Sequence, residues 1–226
     1  RCTQRRPLSR RPLDAARKAE LEAAVGPGHS VLWLEGEQRF DVAKLLFRNA
    51  HIRLTTPEAY PTHRDIIEYD AQYSRDRLPD RAVGLDPVGI ALMRWAMQSW
   101  QRVDFLNRWC AGTWIPRLQL DFAPALGCAA HFLIHAERAP QTLADYLDAG
   151  AAMQRFWLTA TRLGLQFQPE MTPLIFAGYV RDDVAFTTKA ASNANARTLT
   201  AQLDALVGAE RAARGVYFGR VGFGPI

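Results

Sequence analysis

Residues 145–169 read DYLDAGAAMQRFWLTATRLGLQFQP, and the fold is inferred outward from this stretch. Apolar residues occupy nearly every face of a helix drawn through residues 143–165. In a water-soluble chain, a helix that is apolar all round is predicted to lie at the centre of the protein. Small side chains permit close approach, so Gly150 and Ala160 are expected to face another helix, a ligand or a partner subunit.

On either side of this helix, the pattern predicts an irregular mixture of helices and strands. Helices are predicted at 13–25, 39–52, 90–109 and 180–207, and strands at 29–35, 127–136 and 215–223. Residues 54–90 are expected to form short helices and loops over a surface or a cleft, and residues 190–200 a mobile excursion. Because regular βαβ alternation and a glycine-rich phosphate loop are both missing, the predicted fold class is α+β.

The size of the chain indicates one large domain. Its 226 residues are 48% hydrophobic, which is enough for one sizeable core. We therefore predict a single domain over residues 1–226. The first residue is Arg1 rather than Met, which is consistent with a domain cut from a longer protein.

Basic charge is concentrated at the start of the chain. The formal net charge is +5, and five arginines fall within the first eleven residues: Arg1, Arg5, Arg6, Arg10 and Arg11. Such a cluster suits a phosphate-bearing ligand or nucleic acid, and it is equally typical of a solvated terminus. No nucleic-acid-binding motif and no aromatic platform accompany the arginines, so we expect no nucleic-acid partner.

Cysteine usage and hydropathy predict a cytoplasmic protein. Cys2, Cys110 and Cys128 form no CxxC pair and leave an odd count. No signal peptide is visible, and no apolar run reaches the roughly 18 residues of a membrane span. A reduced cytoplasmic setting without a membrane partner is therefore predicted.

Hydrolytic and metal chemistry find little support in the sequence. The run His63-Arg64-Asp65 lacks the partners of a catalytic loop, and no Ser or Cys stands in a nucleophile elbow. His131 and His135 share a face of a predicted strand but have no third ligand. Structural histidines with satisfied hydrogen bonds are the favoured interpretation, and no metal site is predicted.

The amino-terminal run Arg1-Cys2-Thr3-Gln4-Arg5 has the pattern R-x-T-x-R. Alternate residues of an extended segment point the same way, so Arg1, Thr3 and Arg5 can converge on one anion. Two guanidiniums and a hydroxyl suit a phosphate monoester, because guanidinium makes bidentate, charge-assisted hydrogen bonds.

Three segments together resemble the nitroreductase family. The central helix resembles that family's central helix, which has a glycine near its start and ends in A-x-x-x-G-L and a loop with proline. The matching residues here are Gly150, Gln154, Trp157, Leu158, Ala160, Gly164, Leu165 and Pro169. The R-x-T-x-R start resembles the family's R-x-S-x-R phosphate clamp, and residues 217–223 resemble its penultimate strand with an R-x-G-aromatic end.

The resemblance implies a nitroreductase-like α+β fold, with a small, mainly antiparallel sheet and helices around a long buried central helix. It implies that FMN carries the chemistry, that NAD(P)H donates electrons, and that a nitroaromatic or quinone accepts them. The loop at Pro169-Glu170-Met171 is expected to offer a backbone N–H to N5 and O4 of the flavin. The implied cofactor-binding residues are Arg1, Cys2, Thr3, Arg5, Pro169, Glu170, Met171 and Arg220, with no catalytic side chain.

The resemblance also implies a homodimer with flavin at its interface, or a fused or neighbouring domain. As the alternative to the dimer interface, residues 54–90 would cover the chain's own flavin. Two family features are missing: the A-P-S-x-x-N-x-Q-P-W stretch, replaced by AVGPGH at 24–29, and the arginine beyond the last strand. The absent Q-P-W favours the alternative function, a non-catalytic module that stores FMN or regulates an attached domain.

Overall fold

The structure is a computed structural model that describes residues 3–110 and 112–224. The strands of these residues are β1 (His29–Leu34), β2 (Ile67–Glu68), β3 (Leu78–Pro79), β4 (Ala130–Ala136), β5 (Leu165–Pro169) and β6 (Gly215–Phe223). Four of them form an antiparallel sheet in the order β1-β4-β6-β5, and β2 pairs with β3 in a short parallel ladder. The central strands, β4 and β6, therefore lie far apart in sequence.

Helices make up most of the remaining structure. The α-helices are α1 (Ala15–Val25), α2 (Gln38–Thr55), α3 (Tyr60–Ile66), α4 (Pro87–Ala96), α5 (Trp100–Trp109), α6 (Trp114–Pro116), α7 (Ala123–Leu126), α8 (Leu143–Arg162), α9 (Thr172–Arg181), α10 (Ala190–Val207) and α11 (Ala209–Ala213). A π-helical turn, Arg117–Phe122, joins α6 to α7, and short 3-10 turns lie at Pro57–Ala59 and Asp80–Ala82.

The sheet is covered on both faces, which explains why its central strands are so apolar. On one face Phe132 of β4 and Val221 of β6 pack against α1 and α8. On the other face Leu133 and Phe218 join the core formed with α2, α9 and α10. Side chains alternate along a strand, so His131 and Arg220 fall on the same face as Leu133 and Phe218. This face holds the candidate site.

Local capping divides the predicted helix at 90–109 into two. Asp86 caps α4 by accepting hydrogen bonds from the amides of Val88 and Gly89, and Pro87 occupies the first turn. Ser99, in extended conformation, accepts from the amide of Arg102 and starts α5. The single long helix was wrong because N-cap hydrogen bonds satisfy amides that a continuous helix would otherwise pair.

Two further predictions fail near the carboxyl-terminal half. The helix predicted at 143–165 ends at Arg162, Gly164 adopts φ +71°, and the unpredicted strand β5 follows. The predicted helix at 180–207 is divided between α9 and α10 by an irregular segment. The expected mobile excursion at 190–200 lies in α10, where Ala196 and Leu199 are fully buried, so packing rather than composition determines that segment.

Helix α8 buries one stripe of its surface within the chain. Ala149, Ala152, Phe156 and Ala160 pack on the sheet, so Ala160 has the close neighbours that we predicted. The opposite stripe is exposed although it is apolar; it comprises Leu143, Tyr146, Leu147 and Leu158. Gly150 is exposed too, and no heavy atom lies within 4 Å of a Cβ built on it. The expectation of a close neighbour is therefore wrong for Gly150 within the chain.

We expect Gly150→Ala to raise the free energy of unfolding by about 0.5–1 kcal/mol, because alanine lowers the backbone entropy lost in a helix. Gly164→Ala is the matched control, because a Cβ at this position also meets open space. The φ of +71° disfavours an L-residue there, so this variant should lower the free energy of unfolding. Urea denaturation would compare the two variants with the parent. A Gly150→Ala variant less stable than the parent would contradict an open position.

Candidate functional site

A cleft of about 320 Å³ lies beside the sheet, at the carboxyl end of β5. This volume is within the range of small-molecule sites. The predicted residues that line it are Thr3, Arg5, Pro169, Glu170, Met171 and Arg220. Arg1 and Cys2, the other two predicted residues, lie outside the described residues.

The amino-terminal segment reaches the cleft as an extended chain against β5. Thr3 forms a parallel bridge with Phe167, and the Gln4 amide donates to the Phe167 carbonyl at 3.1 Å. Arg220 Nη2 donates to the Arg5 carbonyl at 2.7 Å. Thr3 and Arg5, two residues apart on this segment, consequently both line the cleft, although they precede the rest of the site by more than forty residues.

Behind the cleft wall lies a buried cluster of charged groups. Glu170 accepts hydrogen bonds from His131 Nδ1 at 2.8 Å and from Arg220 Nη1 at 2.7 Å. His131 Nε2 lies 2.9 Å from the Ala125 carbonyl. Both partners of the imidazole are acceptors, so both ring nitrogens must donate, which requires the protonated form. The histidine is thus satisfied by structural partners, as the sequence favoured.

The electrostatics of this cluster agree with its geometry. Burial by itself would lower the pKa of His131, but the Glu170 charge and the hydrogen bonds that the imidazole makes with Cys128 and Glu170 raise it to about 10. Burial by itself would raise the pKa of Glu170, whereas His131 and Arg220 hold it below its ordinary value. The three groups are therefore ionised together around neutral pH, and they fix the guanidinium of Arg220.

The backbone of the 169–171 loop corrects one expectation. Pro169 has no amide hydrogen, and the Glu170 amide donates to the Phe218 carbonyl at 2.9 Å. Neither residue can offer a backbone N–H to a ligand, because the turn continues the hydrogen bonding of the sheet into the loop. Among these three residues, only Met171 is left for that role, one position before α9 begins.

The structure adds residues that the sequence reasoning missed, among them Asn49, Arg53, Asp121 and Gln168. Asn49 falls on the buried face of α2 with Val42 and Leu46, and a polar residue at a core position was the signal for it. Its side chain is 1% exposed, and Nδ2 donates to the Thr172 hydroxyl at 2.7 Å.

Several polar atoms of the cleft lining have no protein partner. Within the described part of the chain, Asn49 Oδ1, Gln168 Oε1 and Arg220 Nε are buried and make no hydrogen bond. Buried polar atoms without partners are uncommon in proteins, and a bound ligand or water is a usual explanation. These two acceptors and one donor belong to residues that line the cleft.

Positive charge dominates the mouth of the cleft. Burial lowers the pKa of the Arg5 guanidinium, and the charges of Arg53 and Arg220 lower it further. Arg53 Nη2 lies 3.4 Å from Asp121 Oδ2. Burial raises the pKa of Asp121 to about 6, against the opposing charge of Arg53. Three guanidiniums thus face two carboxylates, a combination suited to an anionic ligand.

The sequence matches no protein-family model and no curated protein. In structure it is similar to the FMN and NADPH-dependent nitroreductase NfnB from Sphigopyxis sp. strain HMH, with 14% identity and a TM-score of 0.50 over 99% of this chain and 85% of that one. The chain has a nitroreductase-like fold. This finding confirms the α+β fold class and the resemblance predicted from residues 145–169, although the low identity establishes the fold alone.

Two other solved structures with this fold are similar to the chain. The FMN-dependent nitroreductase NfnB from Mycobacterium smegmatis, in complex with NADPH, has 16% identity and a TM-score of 0.48 over 99% of this chain and 84% of that one. A nitroreductase-like family protein from Bacillus cereus has 14% identity and a TM-score of 0.45 over 100% and 82%.

Residues 3–110 and 112–224 contain neither a metal-binding cluster nor a membrane-spanning helix. No group of three or more His, Cys, Asp and Glu side chains is placed to hold a metal ion there. Over the same residues, no helix is both long and apolar enough to cross a membrane.

Proposed function

We propose that this protein binds FMN in the cleft and passes electrons from NAD(P)H to a small organic acceptor of the nitroaromatic or quinone type. One observation carries the proposal: the amino-terminal Thr3 and Arg5, the turn 169–171 and Arg220 converge on a single cleft. This convergence occurs in a nitroreductase-like fold, and the similar structures are named as FMN-dependent enzymes.

The donor set of the cleft fits FMN. Arg5, Arg53 and the Thr3 hydroxyl are suited to a phosphate monoester. The unpaired oxygens of Asn49 and Gln168 are suited to the ribityl hydroxyls or a ring N–H. When bound, FMN would supply the hydride chemistry of the reaction.

The chain's own residues would bind FMN, orient it and shield it from water. Arg5 and Thr3 hold the phosphate end, and the buried Glu170 and His131 keep Arg220 in place. Val83, from the segment 54–90, and Leu120, from the π-helical turn, also line the cleft, and in this proposal they would cover the flavin and exclude water, as predicted for residues 54–90.

We also propose that two copies associate through the exposed stripe of α8. Exposed large apolar side chains on one helix face commonly mark an interface; here Leu143, Tyr146 and Leu147 lie close together on α8, and Leu158 lies further along the same face. Sedimentation equilibrium of the purified protein tests this: a monomer at micromolar concentration would exclude a stable dimer. A fused or neighbouring domain and a cytoplasmic location stay predictions from the sequence.

The absorption spectrum of the purified protein, followed by anaerobic stopped-flow, tests the enzymatic proposal. We expect flavin bands that bleach on mixing with NADH or NADPH and return on mixing with a nitroaromatic or a quinone. Hydride transfer needs reacting atoms about 3–3.5 Å apart, so bleaching also reports that the donor reaches the flavin. A protein that takes up no FMN when supplied with excess would contradict the proposal.

The alternative is a module that binds FMN without turnover. The cover formed by Val83 and Leu120 favours it, because a closed flavin face excludes a nicotinamide while leaving FMN affinity intact. The missing Q-P-W stretch points the same way. Flavin that stays oxidised with millimolar NADH and NADPH, and is reduced by dithionite, would establish this second function.

A further inference from the structure

We propose that the Arg53–Asp121 pair is a proton-linked oxyanion subsite: an anionic group binds Arg53 in the cleft, and Asp121 takes up a proton as it does so. The ligand class is any small molecule that carries a phosphate, sulfate, sulfonate or carboxylate group. The inference deepens the proposed function, which already assigns Arg53 to a phosphate, by adding the proton linkage through Asp121, and it holds whether or not the occupant is a flavin.

Arg53 is more available to a ligand than Arg220 is. Arg220 is 2% exposed and already donates hydrogen bonds to Glu170 and to the Arg5 carbonyl. Arg53 projects from α2, its side chain is 30% exposed, and it meets Asp121 at 3.4 Å, beyond the usual length of a charge-assisted hydrogen bond. An oxyanion can therefore replace this loose contact with closer ones.

Asp121 is placed where an incoming anion would alter its ionisation. It lies in the π-helical turn Arg117–Phe122, an uncommon conformation that is found frequently at functional sites. The charged groups facing it come from every neighbouring element: Arg53 from α2, Glu170 after β5, Arg220 from β6, and Arg117 from its own turn. His63 beside Arg53 is neutral, because burial and that arginine lower its pKa to about 4.

The direction of the linkage follows from these charges. The pKa of Asp121 is about 6 in the free cleft, and a nearby anion raises it further. Anion affinity is therefore constant below about pH 6 and falls as the pH rises above 6, until Asp121 is ionised in the complex as well. For a rise of about one unit, to about 7 in the complex, the linkage gives roughly fivefold weaker binding at pH 8 than at pH 6, because Asp121 is already half ionised at pH 6 in the free cleft.

Isothermal titration with millimolar sulfate at constant ionic strength tests the proposal, since sulfate stays a dianion throughout this range. In two buffers of different ionisation enthalpy, the parent should take up a fraction of a proton per sulfate at pH 7. Asp121→Asn should bind sulfate with nearly equal affinity at pH 6 and pH 8. Arg53→Gln should bind at least tenfold more weakly at pH 6, because it loses hydrogen bonds to a charged group.

Arg64→Gln and Asp65→Asn are the matched controls, because that ion pair is exposed and away from the cleft lining. Both should behave like the parent, and circular dichroism should show that all variants are folded. Equal affinity of the parent at pH 6 and pH 8, a pH dependence retained in Asp121→Asn, or parental affinity in Arg53→Gln would each overturn the proposal.

Competition identifies the source of the oxyanion. Displacement of sulfate by FMN but not by riboflavin would assign the subsite to the flavin phosphate. Simultaneous binding of FMN and sulfate would place the subsite outside the flavin, at a second ligand. Both results support the subsite, and neither depends on turnover. A protein that binds sulfate as expected but no FMN would contradict only the proposed function.

Discussion

Glu170→Gln is expected to lower the free energy of unfolding by about 3–5 kcal/mol, the range typical of removing one partner from a buried ion pair. The carboxylate is 7% exposed and is the acceptor for both His131, at 2.8 Å, and Arg220, at 2.7 Å. A neutral amide leaves the buried Arg220 guanidinium without its counter-charge and His131 without an anionic partner. Chemical denaturation at pH 6.5 measures the loss.

The pH dependence should distinguish this variant from an ordinary packing defect. The folded-state pKa of His131 is about 10, against 6.5 for an unperturbed histidine. Its stabilising contribution is therefore complete below pH 6.5 and is lost as the pH rises toward 10. Without Glu170, burial lowers the pKa of His131, so the imidazole becomes neutral and this contribution disappears. The difference in stability between parent and variant should consequently narrow from pH 6.5 to pH 9.

Glu210→Gln is the matched control. Glu210 pairs with Arg214 at 3.5 Å, and its side chain is 85% exposed. The same chemical change should therefore lower the free energy of unfolding only slightly. A loss below about 1 kcal/mol in Glu170→Gln, or a difference that does not change with pH, would show that the cluster is not the ionised arrangement described above; the cost for a buried ion pair is several-fold larger.

Arg1→Ala combined with Arg5→Ala is expected to weaken FMN binding by tens-fold or more while the fold stays intact. A hydrogen bond to a charged group contributes roughly 1.5–3 kcal/mol, and two such groups are removed. Arg5 lines the cleft, so Arg5→Ala alone should produce a substantial part of the loss. Flavin fluorescence titration gives the affinity, and circular dichroism checks the fold.

Arg6→Ala combined with Arg10→Ala removes the same charge from the same segment, but both of these side chains are exposed. This control should retain near-parental affinity at physiological ionic strength. Equal weakening in the two double variants would indicate only a general attraction between a basic terminus and a phosphate. Unchanged affinity in the first double variant would remove the amino-terminal segment from the FMN site.

Local patterns in the sequence were sufficient for the elements whose identity depends on near neighbours. The strand predicted at 215–223 matches β6, and the helix predicted at 13–25 contains α1, because alternation, the Asp14 cap and the Gly26 stop act within a few residues. The order of the elements, without βαβ alternation, also predicted the α+β class. The resemblance carried by the amino-terminal run, the central helix and the last strand identified six residues that the structure brings to one cleft.

Contacts between distant segments were decided by the tertiary structure alone. Arg53 and Asp121 are 68 residues apart, His131 and Glu170 are 39 apart, and Arg220 reaches the Arg5 carbonyl across 215 residues. No local pattern records such pairings, since they depend on sheet order and on how helices cover the sheet. The strand β5 was not predicted either: Leu165 and Phe167 alternate with Gln166 and Gln168, but this run is short, and pairing with β6 makes it a strand.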